Sequence, residues 1–196
     1  MRTGTIKRDT IETKIELKLE LDGSGVVNVH CGVGFMDHML TLMAFHSDMD
    51  LFVRCDGDTY VDGHHSVEDV GIALGRAISE ALGDRAGIAR YGSFLLPMDE
   101  TLVLCALDIS GRSYLNFDVA MPRATVGDFD TELVKEFFMA VSRSLGLTLH
   151  FKLMAGENTH HIIEACFKGF GRALKQAFTV DEKLKGRMPS SKGTIL

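Results

Sequence analysis

A His-His-x-x-Glu pattern occurs twice in the sequence and supplies residue types that bind metal ions. Its members are His64, His65 and Glu68 in the first copy and His160, His161 and Glu164 in the second. Imidazole nitrogens and carboxylate oxygens together suit Mn, Fe or Zn ions. Residues four apart share one face of a helix, so the first histidine and the glutamate of each copy can hold one ion. The second histidine points elsewhere and is available to another ion.

The two copies belong to longer matching segments. Asp62-Gly-His-His-Ser-Val-Glu corresponds to Asn158-Thr-His-His-Ile-Ile-Glu, and the later Gly75-Arg-Ala corresponds to Gly171-Arg-Ala, always 96 residues apart. A constant spacing of this kind indicates internal duplication. One copy alone would favour ordinary core or surface histidines, whereas recurrence in register favours a metal site. If the halves meet about a pseudo-twofold axis, the second histidine of each copy can complete the site of the other half.

Hydrophobic periodicity predicts the strands and helices that must position these residues. The expected strands are 5–21, 26–29, 51–55, 59–61, 93–107, 113–119 and 147–153, and the expected helices are 35–46, 64–82, 130–145 and 159–178. Asp22-Gly-Ser-Gly is expected to turn the first strand into a hairpin with residues 26–29. We therefore expect an α+β fold in which two half-repeats, 1–92 and 93–185, each contribute a β-sheet and two helices. The tail formed by residues 186–196 shows no clear hydrophobic period.

Charge and cysteine content limit the classes of partner and compartment. The chain of 196 residues has a net charge of −6 and no polybasic block, which argues against nucleic-acid binding. Its four cysteines form no Cys-x-x-Cys pair, so free thiols in a reducing compartment are expected. The sequence shows neither a secretory leader nor a run of about 20 apolar residues. We expect a cytoplasmic protein without membrane partners.

Six ordered motifs span nearly the whole chain. They are Gly34-Phe-Met-Asp-His-Met-Leu, Asp62-Gly-His-His-Ser-Val-Glu-Asp, Pro97-Met-Asp-Glu, Asp108-Ile-Ser-Gly-Arg, Gly156-Glu-Asn-Thr-His-His-Ile-Ile-Glu-Ala and Pro189-Ser-Ser-Lys-Gly. Together they resemble the imidazoleglycerol-phosphate dehydratase family of histidine biosynthesis. The resemblance implies a duplicated fold of the ribosomal protein S5 domain 2-like type. It also implies a hydro-lyase that converts D-erythro-imidazoleglycerol phosphate to imidazoleacetol phosphate.

The same resemblance implies two Mn²⁺ ions per active site. One ion would take His38, His65, His160 and Glu164, and the other would take His64, Glu68 and His161. The family often supplies a further histidine to the second ion from a Glu-His-Phe-Phe segment. This chain reads Lys135-Glu-Phe-Phe there, so Glu136 is expected either to coordinate the ion through carboxylate oxygen or to form a salt bridge on its helix.

The resemblance further implies residues that contact the substrate, a phosphorylated imidazole. Glu12 is expected to move a proton or to hold the hydroxyls, and it joins the repeated histidines and glutamates as the catalytic set. His38 and His46 are expected to touch the substrate. The phosphate would be bound by Arg90, Arg112, Lys168, Ser190, Ser191 and Lys192. Because the carbon that loses its proton has no neighbouring carbonyl, we expect a metal-bound imidazolate to expel the adjacent hydroxyl.

The expected quaternary structure also follows from the resemblance, which implies a homo-oligomer of twenty-four subunits built from trimers, with metal sites at subunit contacts. Two other functions stay open: a two-metal hydrolase of a phosphorylated small molecule, and a shell that stores or senses metal. The hydrolase would release phosphate, whereas the storage shell would bind many ions without turnover. His30, His150 and Cys166 receive no assigned role.

Overall fold

The computed structural model describes residues 1–184 and 186–195; residue 185, where the second half-repeat was predicted to end, and Leu196, the end of the predicted tail, lie outside the described residues. The first half contains β1 (Thr3–Asp9), β2 (Thr13–Glu20), β3 (Val27–His30), α1 (Gly34–Ser47), β4 (Asp50–Gly57) and α2 (His64–Leu82). The second half contains β5 (Tyr91–Met98), β6 (Thr101–Asp108), β7 (Tyr114–Asp118), β8 (Thr125–Val126), β9 (Phe129–Asp130), α3 (Leu133–Leu145), β10 (Thr148–Ala155) and α4 (Thr159–Phe178). The expected α+β class is confirmed.

The two larger sheets share one topology. The first has the strand order β1-β2-β4-β3 and the second has the order β5-β6-β10-β7. In each sheet the first three strands pair antiparallel, and the last pair, β3 with β4 or β7 with β10, is parallel. A parallel pair needs a crossover, and α1 or α3 supplies it. This arrangement is consistent with the duplicated half-fold expected from the repeated motifs.

Two glycines let a strand of each sheet approach the helix that covers it. A Cβ atom added to Gly4 on β1 would overlap the backbone oxygen of Ala77 on α2, and one added to Gly92 on β5 would overlap that of Ala173 on α4. Only a residue without a side chain permits this contact. Ala77 and Ala173 are 96 residues apart. The duplication therefore includes the packing of helix on sheet as well as the histidine motif.

Glycines also set the pairing of the helices. A Cβ on Gly75 of α2 would lie 2.8 Å from the backbone oxygen of Val141 on α3, and one on Gly171 of α4 would lie still closer to the backbone oxygen of Met43 on α1. α2 thus packs against α3, and α4 packs against α1. Gly63 meets Leu133, so α2 and α3 begin at the same end of the molecule. Each His-His-x-x-Glu helix consequently packs against the crossover helix of the other half.

The predicted first hairpin is wrong in its position. β1 and β2 pair around a turn at residues 10–12, closed by the amide of Thr13, which donates to the Thr10 hydroxyl oxygen over 2.9 Å. Hydroxyl groups favour such local turns, and Ile11 at the tip is fully exposed. Residues 26–29 do not return along β2, because the α1 crossover places β3 parallel to β4. Residues 59–61 form a turn after β4 and not a strand.

The single strand expected at 93–107 is likewise two strands, β5 and β6. The chain reverses at Asp99 and Glu100, where Asp99 adopts a positive φ of 50°. Aspartate tolerates this left-handed conformation better than most residues because its short side chain can hydrogen-bond locally. The reversal brings Glu100 to the tip of a hairpin, a position that the sequence pattern did not indicate.

One hydrophobic core joins the inner faces of both sheets to the four helices. Alternate residues of β2, among them Ile15, Leu17 and Leu19, are buried as their period of two requires. All four cysteines are buried and free. Among the described helices, none has the length and apolar character needed to cross a membrane.

Candidate metal centre

Each His-His-x-x-Glu segment lies at the start of a helix, as predicted. The Asp62 carboxylate accepts a hydrogen bond of 2.7 Å from the amide of His64 at the start of α2. The Asn158 side-chain oxygen accepts bonds of 3.0 and 3.4 Å from the amides of His160 and His161 at the start of α4. Such side chains satisfy amides that have no partner within the helix. The backbone of each histidine pair is therefore fixed at an equivalent point.

One group of potential ligands lies within reach of a single ion. His38 from α1 and His160 and Glu164 from α4 offer ligand atoms that all lie within 4.8 Å of one another. The Glu164 Oε2 atom is 3.1 Å from His160 Nε2 and 3.8 Å from His38 Nε2. Two imidazoles and a carboxylate form a donor set that suits Mn²⁺, Fe²⁺ or Zn²⁺. The residues present therefore fit a transition-metal ion.

Glu164 is buried, and its charge is balanced on both sides. Burial alone would raise the pKa of its carboxyl, but the Lys168 ammonium, at 2.5 Å from Oε1, and His160 together hold that pKa below its usual value. Lys168 also lies close to His46, whose pKa is lowered by burial and by the charges of Arg172 and Lys168. The carboxylate is thus ionised and ready to face a cation on its other oxygen.

His65 of α2 lies beside two carboxylates. Its Nδ1 is 3.0 and 3.1 Å from the two oxygens of Asp58, and its Nε2 is 3.6 Å from Glu12 Oε1. The hydrogen bond to Asp58, followed by the negative charges around it, raises the pKa of the His65 ring. Asp58 follows β4 and was not singled out from the sequence. The ring therefore has one nitrogen held and the other directed to Glu12.

His161 of α4 has a similar environment. Its Nδ1 is 2.8 Å from Glu100 Oε2, and its Nε2 is 3.9 Å from an oxygen of Asp99. The hydrogen bond that the His161 ring donates to Glu100 raises the pKa of His161. The same bond, with the one that the amide of Asn158 donates, holds the pKa of Glu100 well below its usual range. In both copies of the pattern, Nδ1 of the second histidine is thus hydrogen-bonded to a carboxylate.

The remaining predicted ligands form a looser group. His64 Nε2 lies 4.0 Å from Glu68 Oε2, one turn later on α2. Glu136 is in the first turn of α3, the helix that packs against α2. Within residues 1–184 and 186–195, the three-ligand group contains His38, His160 and Glu164, and His65 contacts Asp58 and Glu12 instead. The exchange of second histidines between the halves is therefore not formed inside one chain.

The predicted phosphate-binding residues fall into two places. Lys168 belongs to the Glu164 group, whereas Arg90 lies at the far end of α4, where its amide donates to the backbone oxygen of Ala177. The Arg90 guanidinium makes two bonds to Asp108, of 2.7 and 3.1 Å, and donates over 2.9 Å to the Pro189 carbonyl. Arg112 is exposed in the loop after β6, and Ser190, Ser191 and Lys192 follow Pro189. Arg90 thus anchors the tail, and its charge is paired with that of Asp108.

The two ends of α4 are far apart. His160 is in its first turn and Ala177 in its last. At a rise of 1.5 Å per residue, the intervening helix is about 25 Å long. The metal-binding group and the Arg90 region of one chain are consequently too distant to contact one small molecule together.

The chain is similar to known proteins over nearly its whole length. The sequence profile of the family described as imidazoleglycerol-phosphate dehydratase matches residues 31–174. The imidazoleglycerol-phosphate dehydratase of Dinoroseobacter shibae is 56% identical over 195 residues and covers 100% of both chains. That of Rhodopseudomonas palustris (strain TIE-1) is 54% identical over 195 residues, with 100% of this chain and 99% of the relative covered.

Solved structures agree with these relatives. The crystal structure of imidazoleglycerol-phosphate dehydratase from Staphylococcus aureus has a TM-score of 0.84 and 42% identity, covering 91% of this chain and 99% of its own. The crystal structure of IGPD from Pyrococcus furiosus in complex with (S)-C348 has a TM-score of 0.82 and 38% identity. The match covers 96% of this chain and 99% of that chain. The similarity extends across both halves of the chain.

Proposed function

This chain belongs to the imidazoleglycerol-phosphate dehydratase family, and on that premise we propose that its dehydration reaction depends on two Mn²⁺ ions held by the repeated histidines and glutamates. The observation that carries the proposal is the convergence of His38, His160 and Glu164 within 4.8 Å. An ionised carboxylate between two imidazoles attracts a divalent cation strongly. A fourth ligand, His65, would come from a neighbouring copy.

The second ion would be held by His64, Glu68 and Glu136, with His161 from a neighbouring copy. The duplication supports Glu136 in this role. His38 lies five residues before Met43, which packs on Gly171, and Glu136 lies five residues before Val141, which packs on Gly75. Glu136 is therefore the counterpart of His38, and carboxylate oxygen is an acceptable ligand for Mn²⁺.

Replacing Glu136 by alanine should remove one ligand of the second ion only. We expect Mn²⁺ binding at one of the two sites to weaken roughly tenfold or more, while Glu136→His retains both ions. Mn²⁺ content per chain after gel filtration measures this. Glu80→Ala, which removes an exposed carboxylate near the end of α2, is the matched control. Full occupancy of both sites in Glu136→Ala would show that Glu136 is only a surface residue.

We also propose that the active site is completed by several copies of the chain. The substrate consists of one ring, three carbons and a phosphate, far shorter than the distance of about 25 Å along α4 between His160 and the Arg90 region. Metal ligands from one copy must therefore meet phosphate-binding residues from another. Exposed apolar residues in the two loops that carry Glu12 and Asp58, namely Ile11, Tyr60 and Val61, are suited to such a contact. A shell of twenty-four subunits built from trimers would satisfy both requirements.

Removal of metal should weaken this assembly. If the ions join ligands of different copies, dialysis against a chelator is expected to convert the large particle to smaller species, and added Mn²⁺ should restore it. Light scattering coupled to gel filtration gives the mass of each species. A full-size particle that persists in thoroughly demetallated protein would contradict the placement of metal between copies.

Within the reaction, each group of residues has a distinct task. Glu12, half exposed at the tip of the first hairpin, is free to accept the proton that leaves carbon. Arg90, Arg112, Lys168 and the tail residues Ser190, Ser191 and Lys192 would hold the phosphate. Bound divalent ions would supply positive charge that favours loss of the imidazole N–H proton. The ring electrons would then expel the neighbouring hydroxyl, which leaves as water with that proton, and the carbon proton passes to Glu12. The enol that remains becomes the ketone.

The four buried, free cysteines support a reducing compartment. We therefore propose that the protein works in the cytoplasm, where substrate and product of amino-acid biosynthesis are available. Fractionation of cells that express the full chain would test this location.

Product analysis tests the proposed reaction. Metal-stripped protein is incubated with imidazoleglycerol phosphate with and without Mn²⁺, and both the ketone product and free phosphate are measured. Manganese-dependent ketone without phosphate release is the expected result. Release of phosphate would indicate a two-metal hydrolase, and ion binding without turnover would indicate a storage function.

A further inference from the structure

The duplication extends beyond the histidine motifs to the two hairpins that reach them. Gly4, Glu12 and Thr13 of the first hairpin correspond to Gly92, Glu100 and Thr101 of the second, always 88 residues apart. Each glutamate is at the hairpin tip, immediately before the second strand, and each faces the second histidine of a pair. Glu12 and Glu100 are thus counterparts, so a difference between them reflects a difference in role.

Their hydrogen bonding differs sharply. Glu100 Oε2 lies 2.8 Å from His161 Nδ1, while its Oε1 accepts from the amide of Asn158 at 2.8 Å and that of Glu157 at 3.2 Å. The Thr101 hydroxyl also donates to Oε1, at 3.0 Å. Within the described residues, the side-chain contact of Glu12 is to His65 Nε2, at 3.6 Å. Hydrogen bonds therefore hold the Glu100 carboxylate in one position, whereas the Glu12 carboxylate is not held in this way.

The two histidines nevertheless share one orientation. Asp58 holds His65 through Nδ1, as Glu100 holds His161 through Nδ1. A carboxylate that accepts Nδ1–H fixes the tautomer in which Nε2 carries the free electron pair. It also sets the plane of the ring and increases the basicity of the other nitrogen. Asp58 and Glu100, which are not counterparts in the duplication, thus have the same effect: each leaves Nε2 of its histidine available to bind an ion.

We infer that Glu100 is a positioning residue that presents His161 Nε2 to a metal ion, and that it takes no part in proton transfer. The inference rests on the proposed two-metal function. Glu100 is tied to the amides of Glu157 and Asn158, and Asn158 in turn fixes the amides of His160 and His161. The hairpin tip, the helix cap and the ligand therefore form one connected unit, so loss of Glu100 loosens the ligand itself.

The test is calorimetric titration of the assembled, metal-stripped protein with Mn²⁺ alone. Glu100→Gln preserves volume but can no longer fix the tautomer, because its amide can donate to the ring as well as accept. Glu100→Ala removes the contact altogether. Both variants are expected to bind one of the two ions about 10–100-fold more weakly. Glu157→Gln, which alters an exposed side chain of the same region whose contact with Glu100 is through its backbone amide, should leave both affinities unchanged.

The outcomes separate the possible roles. Unchanged Mn²⁺ affinity in Glu100→Gln or Glu100→Ala overturns the inference, and a lower melting temperature of the metal-free protein with unchanged affinity does so too, since it marks a purely structural residue. If the unaltered protein itself binds no Mn²⁺, the proposed two-metal function fails together with the inference. If the unaltered protein binds two ions and the variants match it, only the inference fails.

Discussion

Replacing Glu164 by glutamine is expected to lower kcat/KM by about a hundredfold to a thousandfold, the usual effect of removing one electrostatic element from a catalytic site. Its Oε2 faces His38 and His160, and its Oε1 faces Lys168. Glutamine must direct its NH₂ group to one of these sides, where it opposes either the ammonium or a bound ion. The loss of charge therefore weakens the site even though the shape is kept.

Mn²⁺ content and turnover of Glu164→Gln should fall together. Glu157→Gln is the matched control, because Glu157 is exposed and lies just before the same helix. The Glu157→Gln protein is expected to have the same Mn²⁺ content and the same turnover rate as the unaltered chain. A Glu164→Gln protein that holds a full complement of Mn²⁺ and turns over normally would exclude Glu164 as a ligand.

Glu12→Gln is expected to give the opposite combination, a low rate with metal still bound. If Glu12 accepts the proton from carbon, kcat should fall by about 10²–10⁴-fold. Mn²⁺ affinity should stay near that of the unaltered chain, since Glu12 is not one of the proposed ligands and lies outside the His38 group. Single-turnover measurement of ketone formation, with calorimetric titration of Mn²⁺, separates the two effects.

Glu16→Gln on the same hairpin is a suitable comparison for Glu12, because it removes a carboxylate that pairs with Lys18. It should change neither the rate nor metal binding. A normal rate in Glu12→Gln would move proton transfer to another group. A parallel loss of Mn²⁺ would instead make Glu12 part of the metal site.

The sequence was sufficient to predict the bounds of the two helices that carry most of the proposed ligands. α2 and α4 begin and end where the apolar period predicted, and the side chains of Asp62 and Asn158 accept hydrogen bonds at their first turns. Helical contacts are local, so sequence spacing determines which residues share a face. The α+β class followed from the alternation of such segments with strands.

Strand pairing was harder to predict from the sequence, because it joins residues that are distant along the chain. A turn signal at Asp22 suggested a hairpin with residues 26–29, yet α1 carries the chain across and makes β3 parallel to β4. Asp58 was missed for the same reason, because its role depends on which histidine the fold brings beside it. For Glu100, in the Pro97-Met-Asp-Glu motif, the sequence predicts a role in supporting the site or the structure at least as readily as catalysis, but it does not identify His161 as its partner. The repeat of Gly4, Glu12 and Thr13 at a distance of 88 residues was the available signal for Glu100.

Completion of the site by other copies could not be read from periodicity. The repeat predicted that the halves exchange their second histidines, but in one chain His65 meets Asp58 and His161 meets Glu100. Local spacing cannot distinguish an exchange within a chain from one between copies. The separation of the Glu164 group from Arg90 along α4 is what favours the latter.

Titration of metal-stripped, assembled protein with Mn²⁺, with ketone formation followed at each addition, tests the two-metal account most directly. The rate is expected to rise until two Mn²⁺ ions are bound per chain and then to level off, and no phosphate should be released. A break at one ion, or a full rate in the absence of divalent metal, would contradict it.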